Sequence, residues 1–183
     1  MMQSAHKIYK LTKKSARKQK FLIRIGSKKL YYALEKYGLH PNKSLTIKFP
    51  KIPKKYLADF IRGYFDGDGC VYLEMCRGIT KKKIIKKLTT IFTSGSYEFL
   101  DDMRKILNFI CFLSKNMVYN SRRSFQLRYN TKESITLFSF MYRRLTKETF
   151  NKIKFAKFIK YFKRRPMNIN AKIKNILSYT ATW

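Results

Sequence analysis

The chain has 183 residues, of which 42 are Lys or Arg and 10 are Asp or Glu, giving a formal net charge of +32. A folded chain this basic repels itself unless a polyanion neutralises it, so nucleic acid is the leading partner and an anionic membrane surface the runner-up. Hydrophobic residues at 45% and aromatics at 16% exclude a disordered chain, two histidines exclude His-built metal clusters, and no apolar run is long enough for a transmembrane helix.

The N-terminus, MMQSAHKIYK, lacks the apolar stretch of a signal peptide, so secretion is not expected. Cys70, Cys76 and Cys111 form no CxxC pair and read as small buried hydrophobes in a reducing compartment. The length suits one large domain or two small ones.

Taken in order, residues 7–25 read as a hairpin: KIYKL, a basic turn KKSARKQ, then KFLIRI. Phe21, Ile23 and Ile25 alternate with Leu22 and Arg24, the period of a strand with one buried face. Ser27 is placed to cap a helix over 28–37, ended by Gly38, and the prolines at 41, 50 and 53 mark a linker. Pro53 opens a helix to about Asp66, with apolar residues at 57, 60, 61, 64 and 65. Strands are expected over 70–77 and 82–94, a helix over 96–112, a hairpin at 118–119 and 124–129, and helices near 131–143 and 149–163.

One stretch resists this bland reading. FIRGYFDGDG, residues 60–69, sets two of the ten acids between glycines at the end of an apolar helix. Asp66 lies in the last helical turn, where exposed carbonyls already carry partial negative charge. An anion placed there calls for a cation, and hard oxygen ligands suit Mg²⁺. DGDG also opens like a calcium-binding EF-hand loop, but the twelfth position from Asp66 is Arg77, where that loop needs Glu. A plain acidic turn is the remaining alternative.

LADFIRGYFDGDG, residues 57–69, resembles the signature helix of the LAGLIDADG homing endonucleases. The resemblance implies an α+β fold, an α-β-β-α-β-β-α repeat around a saddle-shaped antiparallel sheet. It implies that Asp68 is the catalytic acid binding a divalent cation, Mg²⁺ or similar, with the Gly67 carbonyl beside it and Asp66 supporting the turn. Gly63 and Gly67 would let a second such helix pack closely. Weaker implications make Ser94 a water-positioning group and Lys154 a basic contact near the scissile bond.

Members of this family lay strands in the major groove of double-stranded DNA, a docking mode open to β-ribbons. On 82–94 the even positions Leu88 and Phe92 read as core, leaving Lys83, Lys87, Thr89, Ile91 and Thr93 outward. By the same resemblance Tyr72, Glu74 and Cys76 share the groove side, and Gln126 and Arg128 point outward in the hairpin. Arg24 is placed likewise through an internal repeat. Arg and Gln suit guanine and adenine edges. Lysines 13, 14, 18, 81 and 82 are expected on phosphates.

The repeat pairs KFLIRIGSK at 20–28 with SFQLRYNTK at 124–132, an offset of 104 residues. The same step back from Asp68 lands about 36 residues before Met1. The expected organisation is therefore the rear of a first repeat over 1–50, a complete repeat over 51–165, and a tail over 166–183. The chain reads as the C-terminal part of a two-motif enzyme, truncated, split or degenerate, whose second helix comes from a homodimer or a separate N-terminal fragment.

The expected activity is Mg-dependent, site-specific double-strand cleavage of intron- or intein-homing type, in a bacterial cytoplasm or nucleoid or an organelle matrix or stroma. The alternatives are an RNA-binding intron maturase, a catalytically inactive relic, and a structural nucleic-acid binder.

Overall fold

The computed structural model describes residues 6–11, 20–77, 83–114, 116–145 and 149–181. The turn lysines 13, 14, 18, 81 and 82, and the side chain of Lys83, lie outside the described residues. The chain divides into two compact units, Met1–His40 and Pro41–Trp183.

The first unit pairs β1 (Ile8–Leu11) with β2 (Lys20–Ile23), antiparallel, with Ile8 opposite Ile23. Ser27 then caps α1 (Lys28–Glu35), its side chain accepting from the Leu30 N–H at 3.2 Å. The expected buried face is not buried: Phe21 is 66% exposed and Ile23 48%. Two short strands and one helix present too little surface to cover an apolar face. Arg24, expected on the strand, stands one residue beyond it and is exposed.

In the second unit a turn over 53–56 precedes α2 (Leu57–Asp68), which therefore starts four residues later than expected. There follow β3 (Cys70–Arg77), β4 (Lys83–Ser94), α3 (Tyr97–Cys111), β5 (Val118–Ser121), β6 (Ser124–Tyr129), α4 (Thr131–Met141) and α5 (Lys152–Arg164). This is the expected helix and strand order. The four strands form one antiparallel sheet in the order β3-β4-β6-β5. The fold is α+β.

The sheet's inward residues Val71, Leu88, Phe92, Leu127 and Tyr129 join one core with Ile61 and Phe65 of α2, Leu100 and Met103 of α3, Phe138 of α4 and Phe158 of α5. Alternation leaves Tyr72, Lys87 and Arg128 exposed on the other face. Asn130 and Glu133 close a reciprocal capping box that starts α4 directly after β6. The two copies of the internal repeat thus share strand, polar cap and helix, but Ser27 aligns with Thr131, one residue past the cap Asn130.

The strand β4 does not keep one phase. Glu74 pairs with Lys87 but Met75 pairs with Ile85, so Lys86 is an extra residue in a β-bulge. The buried positions pass from even Leu88, Thr90 and Phe92 to odd Ile85. The regular alternation expected along β4 therefore fails between Lys87 and Ile85, and on β3 it is Met75 and Arg77, not Cys76, that stand exposed past the bulge. Residues 166–183, read as a tail, include α6 (Ala171–Ala181), whose Ile173 and Ile176 join the core.

The cysteines also depart from expectation. Cys70 is exposed, on the outer face with Tyr72, while Cys76 and Cys111 are half-buried. Burial pushes the Cys111 thiol up to about 11. Only thiolate reacts with alkylating reagents. At pH 8 iodoacetamide should label Cys70 at least about tenfold faster than Cys111, as read by peptide mass mapping.

Candidate active site at the end of helix α2

Helix α2 runs through Gly67 and ends at Asp68, with Gly69 as its C-cap in an extended conformation. Gly67 by itself favours a stop, yet the helix passes through it and stops at Gly69. What carries the helix onward is Lys154 of α5. Its Nζ donates to the carbonyls of Phe65 at 2.8 Å, Asp66 at 2.9 Å and Gly67 at 3.2 Å. One ammonium thus satisfies three of the helix's terminal acceptors and faces the negative end of its dipole. Burial holds the Lys154 pKa below the ordinary lysine value, against the pull of Asp66 and Asp68. Lys157, one turn on, reaches the Val71 carbonyl at 3.0 Å and pins the start of β3.

Gly69 is required by space. A methyl group built there would stand 2.6 Å from the Phe65 carbonyl oxygen and run into the Phe65 ring. The chain therefore leaves α2 tightly and enters β3 at once, which keeps Asp68 at a corner and exposed.

The two acids play different parts. Asp66 Oδ2 accepts from the Asn151 backbone N–H at 2.9 Å, while Oδ1 is buried without a partner among the described residues. Burial raises the Asp66 pKa, and the Asn151 N–H, Lys154 and Arg62 oppose it. Asp68 has no such hydrogen bond among the described residues. It acts electrostatically on Lys154 and on the Tyr64 hydroxyl, whose pKa burial raises and Asp68 raises further.

Tyr64 ties the site to the sheet. Its hydroxyl donates to the Thr93 carbonyl at 2.6 Å and lies against the Ser94 side chain. Ser94 Oγ in turn accepts from the Ser96 N–H at 3.0 Å. The expected residues Asp68, Gly67 and Lys154 are thus gathered directly, and Ser94 through Tyr64. Lys154 itself holds the helix end.

Arg62 went unnoticed in the sequence. It is 6% exposed. Its Nε donates to the Thr149 carbonyl at 3.1 Å, Nη1 to the Met141 carbonyl at 3.0 Å, and Nη2 pairs with Asp59 at 2.9 Å. An arginine on the apolar side of a helical stripe, between Ile61 and Phe65 in register, was the signal available.

Gly63 and Gly67 are exposed, and a methyl group at either would meet nothing within 4 Å. Across the sheet's outer face, Tyr72 stands opposite Thr89, Ile91 opposite Arg128 and Thr93 opposite Gln126. Glu74 is held by two lysines, Lys86 at 3.7 Å and Lys87 at 3.5 Å. The bulge that brings Lys86 alongside Lys87 could not be read from one strand.

Among the described residues no three His, Cys, Asp or Glu side chains gather as a ready metal cage. The end of α2 offers one exposed hard donor, the Asp68 carboxylate, beside the half-buried Asp66 carboxylate, while the Phe65, Asp66 and Gly67 carbonyls accept from Lys154. Mg²⁺ is commonly held by one or two carboxylates completed by phosphate and water, so this donor set fits it. The Gly67 carbonyl, expected as a ligand, accepts from Lys154.

The profile of the LAGLIDADG-like domain matches residues 55–139, which span α2 through most of α4. That stretch is similar to the domain family. It holds the FDGDG corner, Ser94 and the outer-face residues of β3, β4 and β6, while Lys154 lies beyond it.

Over 96 residues the chain is 33% identical to a probable translation initiation factor IF-2 from Thermococcus kodakarensis, covering 46% of this chain and 7% of that protein. The chain therefore spans only a small part of that relative's length. The crystal structure of a homing endonuclease, I-TnaI, is similar with 17% identity and a TM-score of 0.38, covering 66% of this chain and 83% of that one. The homing endonuclease I-CvuI, crystallised with the I-CreI target and 2 mM Mg with the DNA not cleaved, is 13% identical with a TM-score of 0.41, covering 67% and 74%.

Proposed function

We propose that this chain is a site-specific double-strand DNA endonuclease of intron- or intein-homing type, using Mg²⁺ or another divalent cation and acting with a second LAGLIDADG helix. The observation that carries this is Asp68: an exposed carboxylate left at the negative end of a helix, in a chain of net charge +32. Helix electrostatics disfavour it there, and the Lys154 ammonium close by is taken up by three carbonyls, so a divalent cation would offset the charge that remains.

When bound, the cation would polarise the scissile phosphate and lower the pKa of water for hydrolysis. Asp68 would hold it. Lys154 fixes the terminal carbonyls of α2, Tyr64 fixes that helix to β4, and Ser94 stands near for orienting water. The sheet's outer face, with Tyr72, Glu74, Lys87, Thr89, Ile91, Gln126 and Arg128, would lie in the major groove. Gly63 and Gly67 leave room for a second helix, from another copy or a separate fragment. Such an enzyme works where its target lies, in a bacterial nucleoid or an organelle.

The test is cleavage of the uninterrupted target locus with Mg²⁺, comparing the chain with its Asp68→Asn variant. Equal cutting by both would overturn the assignment. Specific binding to the host intron RNA without cleavage would transfer the reading to a maturase.

Duplex binding should also be steeply salt-dependent. A protein that neutralises about six to ten phosphates loses roughly 10³–10⁵ in affinity between 50 and 200 mM salt, and a chain of net charge +32 is expected to behave so. Fluorescence anisotropy across that range checks it; a flat salt response would be inconsistent with the DNA reading.

A further inference from the structure

Gln126 and Arg128 stand two residues apart on β6 and so share one face of the sheet. They are not independent. Arg128 Nε and Nη2 both donate to Gln126 Oε1, at 3.0 Å and 2.8 Å. Tyr119 of β5, directly opposite Gln126, sets its ring 6.0 Å from the Arg128 guanidinium. The guanidinium is thus held at its side edge by an amide oxygen and from the ring side by an aromatic face.

Two consequences follow from the chemistry. The Gln126 oxygen is occupied, so its amide no longer offers the acceptor half of the bidentate pair that reads adenine. The end edge of Arg128, with donors on Nη1 and Nη2, takes no partner among the described residues. That edge presents two parallel donors and no acceptor. In the major groove only guanine answers it with two acceptors, O6 and N7, since adenine puts a donor at N6.

We infer that Arg128, Gln126 and Tyr119 act as one guanine reader on the outer face of the sheet, Arg128 making the base contact while Gln126 and Tyr119 position it. This rests on the duplex-binding function proposed above and adds which base is read and by what unit. Gln126 is then a positioning residue. Pre-ordering the arginine lowers the rotamer entropy lost on contact.

The experiment is selection of bound duplexes from a randomised library by the full chain without added divalent metal, for wild type, Arg128→Ala, Gln126→Ala and Gln126→Glu. Circular dichroism confirms that each variant folds. The wild type should select guanine at one position. Arg128→Ala should lose about 5- to 150-fold discrimination at that position alone. Gln126→Ala should relax the same position to a smaller extent. Gln126→Glu keeps an acceptor for Arg128 and so should keep the guanine preference, though its charge lowers affinity for every duplex.

If the Gln126 variants relax a different position, the two residues read separately and the coupled reader is wrong. If Arg128→Ala weakens all sequences alike, Arg128 holds a phosphate and the proposal also fails. Should the wild type retain no duplex at all, the DNA-binding function falls and takes this inference with it.

Discussion

Asp68→Asn should abolish strand cleavage while leaving both the fold and duplex binding intact. Loss of the one exposed carboxylate at the end of α2 removes the anion that would hold the cation. A bound metal supplies several kcal/mol of transition-state stabilisation, so the cleavage rate should fall by about 10³-fold or more. Stability should barely move. The amide removes a negative charge that is unfavourable at a helix C-terminus by about 0.3–1 kcal/mol, and with it the opposing attraction to Lys154. The variant should therefore melt at nearly the same temperature. Single-turnover cleavage and a thermal melt, run side by side, check both. Lost activity with a lowered melting temperature would point to damage instead of a missing ligand.

Arg62→Met should strongly destabilise the second unit. The methionine keeps much of the apolar stem, so the loss is that of the guanidinium. Its departure leaves the Met141 and Thr149 carbonyls without that donor and frees Asp59. Asp59 is 41% exposed and can turn to water, so the carbonyls carry most of the penalty. Hydrogen bonds to charged groups are worth about 1.5–3 kcal/mol each, which sets the expected loss at about 3 kcal/mol. For a chain of this size that lowers the melting temperature by about 6–12 °C. Denaturant unfolding followed by circular dichroism measures it. A change under about 1 kcal/mol would mean that water replaces the guanidinium at those carbonyls.

The two changes lie on one short helix and act on different links of the chain from sequence to function. Arg62 faces the protein and holds α2 to the end of α4 and to the turn at Thr149. Asp68 faces outward. The helix is held hard on three sides, by Arg62, Tyr64 and Lys154, so that its last carboxylate stands at a defined corner. This is the support that a metal-holding acid needs.

Much of this was legible from local pattern. The 3.6-residue stripe located α2, and the two-residue alternation put Leu88 and Phe92 inward and Gln126 and Arg128 outward. Ser27 was recognised as a cap. The FDGDG corner was legible as well, because an acid pair at a helix end in so basic a chain breaks the expected electrostatics. All of these depend on residues a few positions apart, where sequence spacing and spatial spacing coincide.

The rest was decided by partners distant in sequence. Gly67 favours a stop, yet α2 continues because Lys154 arrives 87 residues later to satisfy its carbonyls. The face of Cys76 turned on a bulge, which is a property of two strands in register and invisible in either alone. The hairpin of the first unit has the alternation of a half-buried strand and still leaves Phe21 exposed, since periodicity says which residues share a face but not what covers it. The coupling of Arg128 to Gln126 and Tyr119 needed β5 and β6 side by side. Local sequence determines which side of an element is apolar and where charge is misplaced; only tertiary packing decides which carbonyl finds a cation and which arginine is held ready.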